Sequence, residues 1–353
     1  MSTARVSART PEVSAPPQPS PADHILQLST GYMTSMCLYS AAKLGIPDLL
    51  SDGPKPVSVL ASLAQCHEDR LYRVLRALVS AGVFEEVAPR KFGLNPAADT
   101  MRSDAEGSTL PLVLWMADPF HFRNYAELLH TVKTGEITFD HIYGKPIFDY
   151  FPEDTEEAGT FHDAMTMLSN MVVPAVLKSY DFSGIGTLLD VAGGHGAVLC
   201  AILERYPQMR GMLFDMDTVV DGARKNIAQH GLSDRCDVTS GDFFKSVPEG
   251  ADAIIMKHII HDWDDEKAVL ILQNCRKALS GKKGATILLV ESVIPAGNEP
   301  HLGKFIDIEM MVFPGGRERT EEEFRQLLSS AGLRLNRVVP TEAPLWVVEA
   351  VIA

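Results

Sequence analysis

The stretch Thr187–Gly196, TLLDVAGGHG, decides the fold. Its first half, TLLDV, is apolar and β-forming apart from one acid, so it reads as a short buried strand. Gly193, Gly194 and Gly196 then let the backbone turn sharply and bring a ligand close to the main chain, before AVLCAILERY opens a helix. A nicotinamide-type fingerprint would be GxGxxG, but counting from Gly194 the third glycine position holds Leu199. Asp190, beside the turn, would repel a pyrophosphate and suits a ligand that presents an ammonium group. A glycine turn of this length also occurs without any ligand, so the surrounding chain has to decide.

The same texture repeats downstream. GMLFDM, DAIIMK and ATILLVES are short apolar strands, separated by helical stretches such as TVVDGARKNIAQH and DEKAVLILQNCRKAL. This alternation argues for a parallel sheet with helices on both faces. The last two strands, RLNRVVP and LWVVEAVI, are joined by a turn through Thr341 and Pro344 that is too short for a crossover, so they should pair antiparallel. A parallel sheet closed in this way is the architecture of class I, Rossmann-like S-adenosylmethionine methyltransferases. The sequence therefore predicts an α/β domain with a mixed seven-stranded sheet over residues 181–353.

Residues 1–21, rich in Pro, Ser, Ala and Thr, read as a disordered tail with no signal peptide. From 22 to 105 the pattern is mainly helical and closes with two short strands around Pro89-Arg90-Lys91, a winged-helix-like domain. Residues 106–180 read as a helical linker. Arg70, Arg73 and Arg76 on one winged-helix helix invite a DNA-binding reading, but they fit a solvated or intersubunit face equally well, above a stripe of Leu71, Val74, Leu75 and Leu78. A formal net charge of -14 argues against nucleic acid. The five cysteines are scattered without CxxC pairing, which suits a reducing cytoplasm and offers no structural zinc site. No apolar run approaches the ~18 residues of a membrane span, so a soluble protein is expected.

Further acids follow the strands. Asp215 ends GMLFDM where a carboxylate can bind both ribose hydroxyls; its plainer role is capping the next helix, which Asp217 and Thr218 can do instead. After the third strand, Asp242 suits an adenine amino group and Phe243 the ring, with a turn residue and a core residue as the plainer alternatives. His261, in IIHDWDDE after DAIIMK, lies where open α/β folds bind ligands and can take a proton from a hydroxyl. Asp262 paired with Asp265, or Asp264 alone, can cap the helix that follows, and Asp264, Asp265 and Glu266 mainly start it. A metal at this histidine is disfavoured because the acids cluster in one loop without a second histidine at ligand spacing.

With these pieces in order, residues 22–353 resemble the plant-type small-molecule O-methyltransferases, a family that includes caffeic acid and hydroxyindole O-methyltransferases and bacterial enzymes that decorate antibiotics and polyketides. The resemblance rests on DVAGGHG, FDM, GDFF, MKHIIHDWDDE, LLVESV and PGGRERTEEEF. It implies that His261 deprotonates the acceptor hydroxyl and that Glu291 and Glu318 flank and hold that histidine. From the residues alone, Glu318 is equally a surface acid ahead of a TEEE capping box, while Glu291, ending an apolar run, needs a partner at the sheet edge. For the cofactor, S-adenosylmethionine, the resemblance implies Ser169, Asp190, Gly193, Asp215, Asp242, Phe243 and Lys257. For the acceptor pocket it implies Phe161 and Met165, which helical spacing alone would assign to core; Trp115, Phe120, Phe122, Met310 and Phe313 are further candidates to shape it. The winged helix becomes part of a dimerisation domain, so a homodimer is expected whose second subunit can reach the pocket.

Two departures stand out. Ala192 replaces a glycine common in the loop, so a negative φ is expected there. His258 replaces a common aromatic residue and is a rival base. Within the fold, N-methylation or a non-methylating decarboxylation or hydroxylation competes with O-methyl transfer; outside it, a ligand-sensing DNA-binding regulator does.

Overall fold

The structure, a computed structural model, describes residues 20–353. The expected tail lies outside the described residues except at its end, where the chain is already helical. Ser20 and Asp23 form a capping box on the helix Pro21–Lys43. Ile25, Leu26, Leu28, Tyr32 and Met33 on this helix are all at least 52 % exposed. Among the described residues no helix is long and apolar enough to cross a membrane.

Three short strands, β1 (Lys55–Pro56), β2 (Glu85–Ala88) and β3 (Lys91–Gly93), form an antiparallel sheet in the order β1-β3-β2. With the helices Val57–Leu63 and Glu68–Ser80 they make the expected winged-helix arrangement. Leu71, Leu75 and Leu78 are buried, while Val74 is only half-buried. Arg70, Arg73 and Arg76 all point to solvent, with Arg76 lying over the Tyr72 ring at 5.3 Å.

The second sheet comprises β4 (Thr187–Val191), β5 (Arg210–Asp215), β6 (Cys236–Ser240), β7 (Ala253–Lys257), β8 (Thr286–Glu291), β9 (Leu333–Val339) and β10 (Trp346–Ile352), in the order β6-β5-β4-β7-β8-β10-β9. The first five are parallel; β10 slots between β8 and β9 and runs against both. Alternate residues serve opposite layers, as the two-residue period of a strand requires. Leu189, Ile254, Met256, Ile287 and Leu289 pack with the helices Asp265–Ala278 and Glu321–Ser330. Leu188, Ala253, Ile255, Leu288 and Val290 pack with the helices Ala197–Arg205 and Val220–Gln229. Burial on both faces explains why these strands read as continuous apolar runs.

Chain order reverses at β4, whose neighbours β5 and β7 are reached by connections going opposite ways. The crevice at the carboxyl end of such a strand is where open sheets bind ligands. Asp190, Asp215, Lys257 and Glu291 all fall in the final two positions of their strands, at that edge. Beyond it, helices between Leu110 and Ser179 join the helix Gly303–Val312 around an aromatic cluster of Trp115, Phe120, Phe139, Phe151 and Phe313, with Phe161 and Met165 against it. Phe122 lies outside that cluster. Phe148 bridges to the sheet edge, its ring 5.8 Å from Trp263.

Candidate active site

Asp190 is 1 % exposed, and its Oδ2 has no hydrogen-bond partner among the described residues. Burial raises its pKa to about 7 against the pull of Lys257. An orphaned, buried carboxylate oxygen beside the glycine turn suits a ligand ammonium group, which would satisfy both its charge and its hydrogen bonding. Gly193 is fixed by the same carboxylate: a Cβ there would lie 2.7 Å from Asp190 Cγ. Gly194 N–H donates to Asp215 Oδ2 at 2.7 Å and Met216 N–H to Oδ1 at 2.7 Å. Each Asp215 oxygen thus keeps a lone pair for a hydroxyl donor, and Asp215 does not cap the helix Val220–Gln229.

Asp242 does form a turn, accepting from Phe244 N–H at 2.9 Å, and its other oxygen lies 3.2 Å from Lys245 Nζ. Phe243 is half-buried with its ring edge-on to Phe244 and Trp263. The turn and packing readings therefore hold for both residues, at a place that also suits an adenine. Lys257 is half-buried; burial lowers its pKa, while Glu291, Asp190 and Asp262 work the other way. Ser169, 6 % exposed, donates to Met165 O at 2.8 Å and keeps its acceptor lone pairs. The donors and acceptors around the β4 turn together fit S-adenosylmethionine.

Ala192 corrects the sequence expectation. Its φ is +55°, in the left-handed region, because the strand must turn immediately into the glycine loop. His258 is likewise left-handed, at +54°. Replacing Ala192 by Gly should therefore raise the stability of the cofactor-free protein by about 0.5 kcal/mol, the relief of about 1–2 kcal/mol being partly offset by unfolded-chain entropy. Thermal unfolding checks this, and a glycine variant less stable than the parent would count against strain at this position.

His261 sits on a single 3₁₀ turn, Ile260–Asp262, and is 6 % exposed. Its Nδ1 lies 2.8 Å from Glu318 Oε1, whereas Asp262 Oδ1 is 3.4 Å from Nε2. Glu318 is 1 % exposed, which rules out the surface-acid reading. Glu291 supports the histidine differently from the expectation: its Oε1 accepts the backbone N–H groups of Ile259 and Ile260 at 3.1 and 2.9 Å, and its Oε2 stays 3.9 Å from His261 Nδ1. It anchors the loop by hydrogen bonds and acts on the ring by its charge alone. Burial opposes an imidazolium, but Glu318, Glu291 and Asp262 outweigh it and raise His261 to about 10. Burial likewise raises Glu291 to about 7 and Asp262 to about 6. His258 stacks on His261 with ring centroids 4.6 Å apart, and its pKa falls well below the usual value through burial and the charges of Lys257 and His261.

Asp264 caps the next helix by accepting from Lys267 N–H at 2.9 Å, with Asp265 and Glu266 in the first turn, so the single-residue cap is the one used. His261, Glu291 and Glu318 are close enough to chelate a cation. Here Nδ1 and Glu291 Oε1 are already committed to hydrogen bonds. On the surface, His130, Glu136 and His141 also face one another.

Sequence reading missed Arg319. This guanidinium is 1 % exposed and donates to the carbonyls of Ile260 (3.1 Å), Trp263 (3.0 Å) and Arg317 (3.2 Å) and to Asp265 Oδ1 (2.8 Å). It thus ties the histidine loop to the segment that carries Glu318. Gly316 completes the join, since a Cβ there would fall 1.9 Å from His261 O. Arg317 N–H donates to that same oxygen at 2.8 Å, and Asp307 Oδ1 holds Glu318 N–H at 2.8 Å. The signal in the sequence was a second arginine inside GGRERT, hidden because its acceptors are backbone carbonyls far away in the chain. Arg319→Lys keeps the charge but loses the planar fork. It should cut kcat/KM for the acceptor by about 10²-fold, the scale of a small misplacement of catalytic groups, with calorimetric S-adenosylmethionine affinity within about twofold. Equal losses in both measurements would refute a positioning role.

An open sheet of this order with a buried acid, an acidic second strand and a carboxylate-held histidine at its carboxyl edge defines a class I methyltransferase. The O-methyltransferase domain family matches residues 125–334, and the O-methyltransferase dimerisation domain matches 26–104. The chain belongs to this O-methyltransferase family, and S-adenosylmethionine is its cofactor. It is 41% identical over 326 residues to a phenazine O-methyltransferase of Lysobacter antibioticus, covering 92% of this chain and 95% of that one. The crystal structure of LaPhzM superposes with a TM-score of 0.89 at 40% identity, covering 94% of this chain and 99% of that chain. NcsB1, an O-methyltransferase from neocarzinostatin biosynthesis solved with S-adenosylmethionine and 2-hydroxy-5-methyl naphthoic acid, gives a TM-score of 0.79 at 28% identity, covering 91% and 96%.

Proposed function

We propose that the protein transfers a methyl group in line to a phenolic hydroxyl of a small aromatic secondary metabolite, with His261 as the general base. The supporting observation is the Glu318–His261 hydrogen bond at 2.8 Å: it commits Nδ1 and leaves Nε2 for the acceptor. A phenol titrates near ~10 and is a poor nucleophile at neutral pH, so removing its proton as the oxygen attacks is worth about 10² to 10⁴ in rate. Bound S-adenosylmethionine supplies an electrophilic methyl on a sulfonium. Asp190, Asp215, Asp242, Phe243, Lys257, Gly193 and Ser169 hold it, while Phe161, Met165, Trp115 and Met310 wall the acceptor. The aromatic relatives, a phenazine enzyme and one bound to a naphthoic acid, support a flat aromatic acceptor.

His258 makes a poor rival base, because its basicity is suppressed and its ring is stacked. The complete His261, Glu291 and Glu318 set favours oxygen transfer over N-methylation or a non-methylating reaction. The exposed winged-helix arginines on an acidic chain give a DNA-binding regulator little support. The five unpaired cysteines suit a reducing, cytoplasmic setting.

His261→Ala should abolish transfer to an aromatic panel, followed as a product gain of one methylene, while leaving cofactor affinity nearly intact. A base must be unprotonated, and the carboxylates hold His261 up at about 10. Wild-type kcat/KM should therefore climb with pH well above the ~6.5 of a free histidine. Glu318→Gln removes the closest of those charges and should move that midpoint down; an unmoved midpoint, or full activity without His261, defeats the assignment.

We further propose a homodimer. The apolar face of the helix Pro21–Lys43 falls largely within the matched dimerisation domain and buries little in one chain. Paired Leu28→Glu and Met33→Glu changes should shift sedimentation from dimer to monomer, and a monomeric parent would dispose of the idea.

A further inference from the structure

A second buried imidazole–carboxylate pair lies in the aromatic cluster. His121 is 2 % exposed and Glu309 7 %, with Nε2 and Oε1 2.8 Å apart. The Tyr125 hydroxyl donates to the other Glu309 oxygen at 2.7 Å. Both carboxylate oxygens are thus engaged, and Nε2–H is committed to Glu309. His121 Nδ1 is buried and without a partner among the described residues, and in the tautomer that donates Nε2–H to Glu309 it is an acceptor. A buried polar atom left unpaired is costly, so one in a binding wall points to a ligand that pairs it.

The ring faces the wall proposed for the acceptor. It stands edge-on to Trp115 with centroids 4.5 Å apart and packs against Phe313 at 4.6 Å. Trp115 is edge-on to Phe161 at 5.3 Å, and Glu309 immediately precedes Met310 on its helix. We propose that His121 Nδ1 accepts a hydrogen bond from a second hydroxyl or an amino group on the aromatic acceptor, so that the substrate class is aromatic diols and aminophenols rather than simple phenols. Glu309 and Tyr125 orient the ring. The lone pair and the adjacent carboxylate both disfavour an acceptor that offers a carboxylate at this point. This inference rests on the proposed reading that Trp115, Phe161 and Met310 line the acceptor pocket of a methyl transfer reaction.

Dihydroxynaphthalenes, aminonaphthols, single naphthols and hydroxynaphthoic acids test it. Binding is read by tryptophan fluorescence with S-adenosylhomocysteine present, and kcat/KM is read with S-adenosylmethionine. The wild type should favour at least one diol or aminonaphthol over the matching single naphthol by about tenfold or more in both measurements, because a site built to pair a polar group rejects analogues lacking it. His121→Phe should bring that ratio to about one, the loss falling far more on the diol or aminonaphthol than on the single naphthol. Glu309→Gln can offer its own N–H to Nε2, turning Nδ1 into a donor, and should erode the ratio without removing the ring. Uniform losses across all acceptors in both variants would mean a structural role only and overturn the proposal, as would a wild-type preference for the naphthoic acids. If binding discriminates but no acceptor is methylated, the recognition role stands and the methyl transfer reading falls. If methylation proceeds with no discrimination, the recognition role alone falls.

Discussion

Buried charge at the carboxyl edge of the sheet is the constraint from which the rest follows. Asp190, His261, Glu291, Glu318 and Arg319 are all at most 6 % exposed, and an unpaired charge removed from water costs several kcal/mol. Each is therefore compensated by a partner set by the fold: Glu318 by the His261 ring, Glu291 by two backbone N–H groups, Arg319 by three carbonyls and Asp265. Three carboxylate oxygens nonetheless stay unpartnered among the described residues: Asp190 Oδ2 beside the glycine turn, Glu291 Oε2 and Glu318 Oε2.

The two halves of the chain divide the work along the same edge. The α/β domain supplies rigid ends of strands, so Asp190 on β4, Asp215 on β5, Lys257 on β7 and Glu291 on β8 are placed by hydrogen-bonded ladders. The helical residues after the winged helix supply the aromatic wall, packed against Val312 and Phe313 from the far end of the sequence. The left-handed backbones of Ala192 and His258 mark where these parts meet the ligand crevice, and such strain persists only where surrounding structure dictates it.

Much of this was legible in the sequence, for identifiable reasons. Strand runs, the glycine turn and the antiparallel closing pair are local patterns, so β4, β7, β8 and β10 could be read directly, as could the Thr320–Glu323 capping box. His261 was legible as a histidine in the loop that follows a buried strand. What escaped reading was long-range. That Glu291 holds backbone rather than ring, that Glu318 is buried, and that Arg319 grips the carbonyls of Ile260 and Trp263 depend on how residues 316–319 return to the 258–265 loop. Ala192 misled for the opposite reason: residue preference suggested a negative φ, and the tight strand-to-loop turn overrode it.

The contact between Gly316 and the His261 carbonyl leaves no room for even one methyl group. Histidine loop and brace are therefore locked into a single unit, which can change only if both strands of the contact change together. The aromatic cluster is tied to the same unit, through the Phe148 ring on Trp263 and through the helix Gly303–Val312, whose Asp307 holds Glu318. A change in that cluster is therefore felt at the histidine loop, so a lineage that redraws one must accommodate the other.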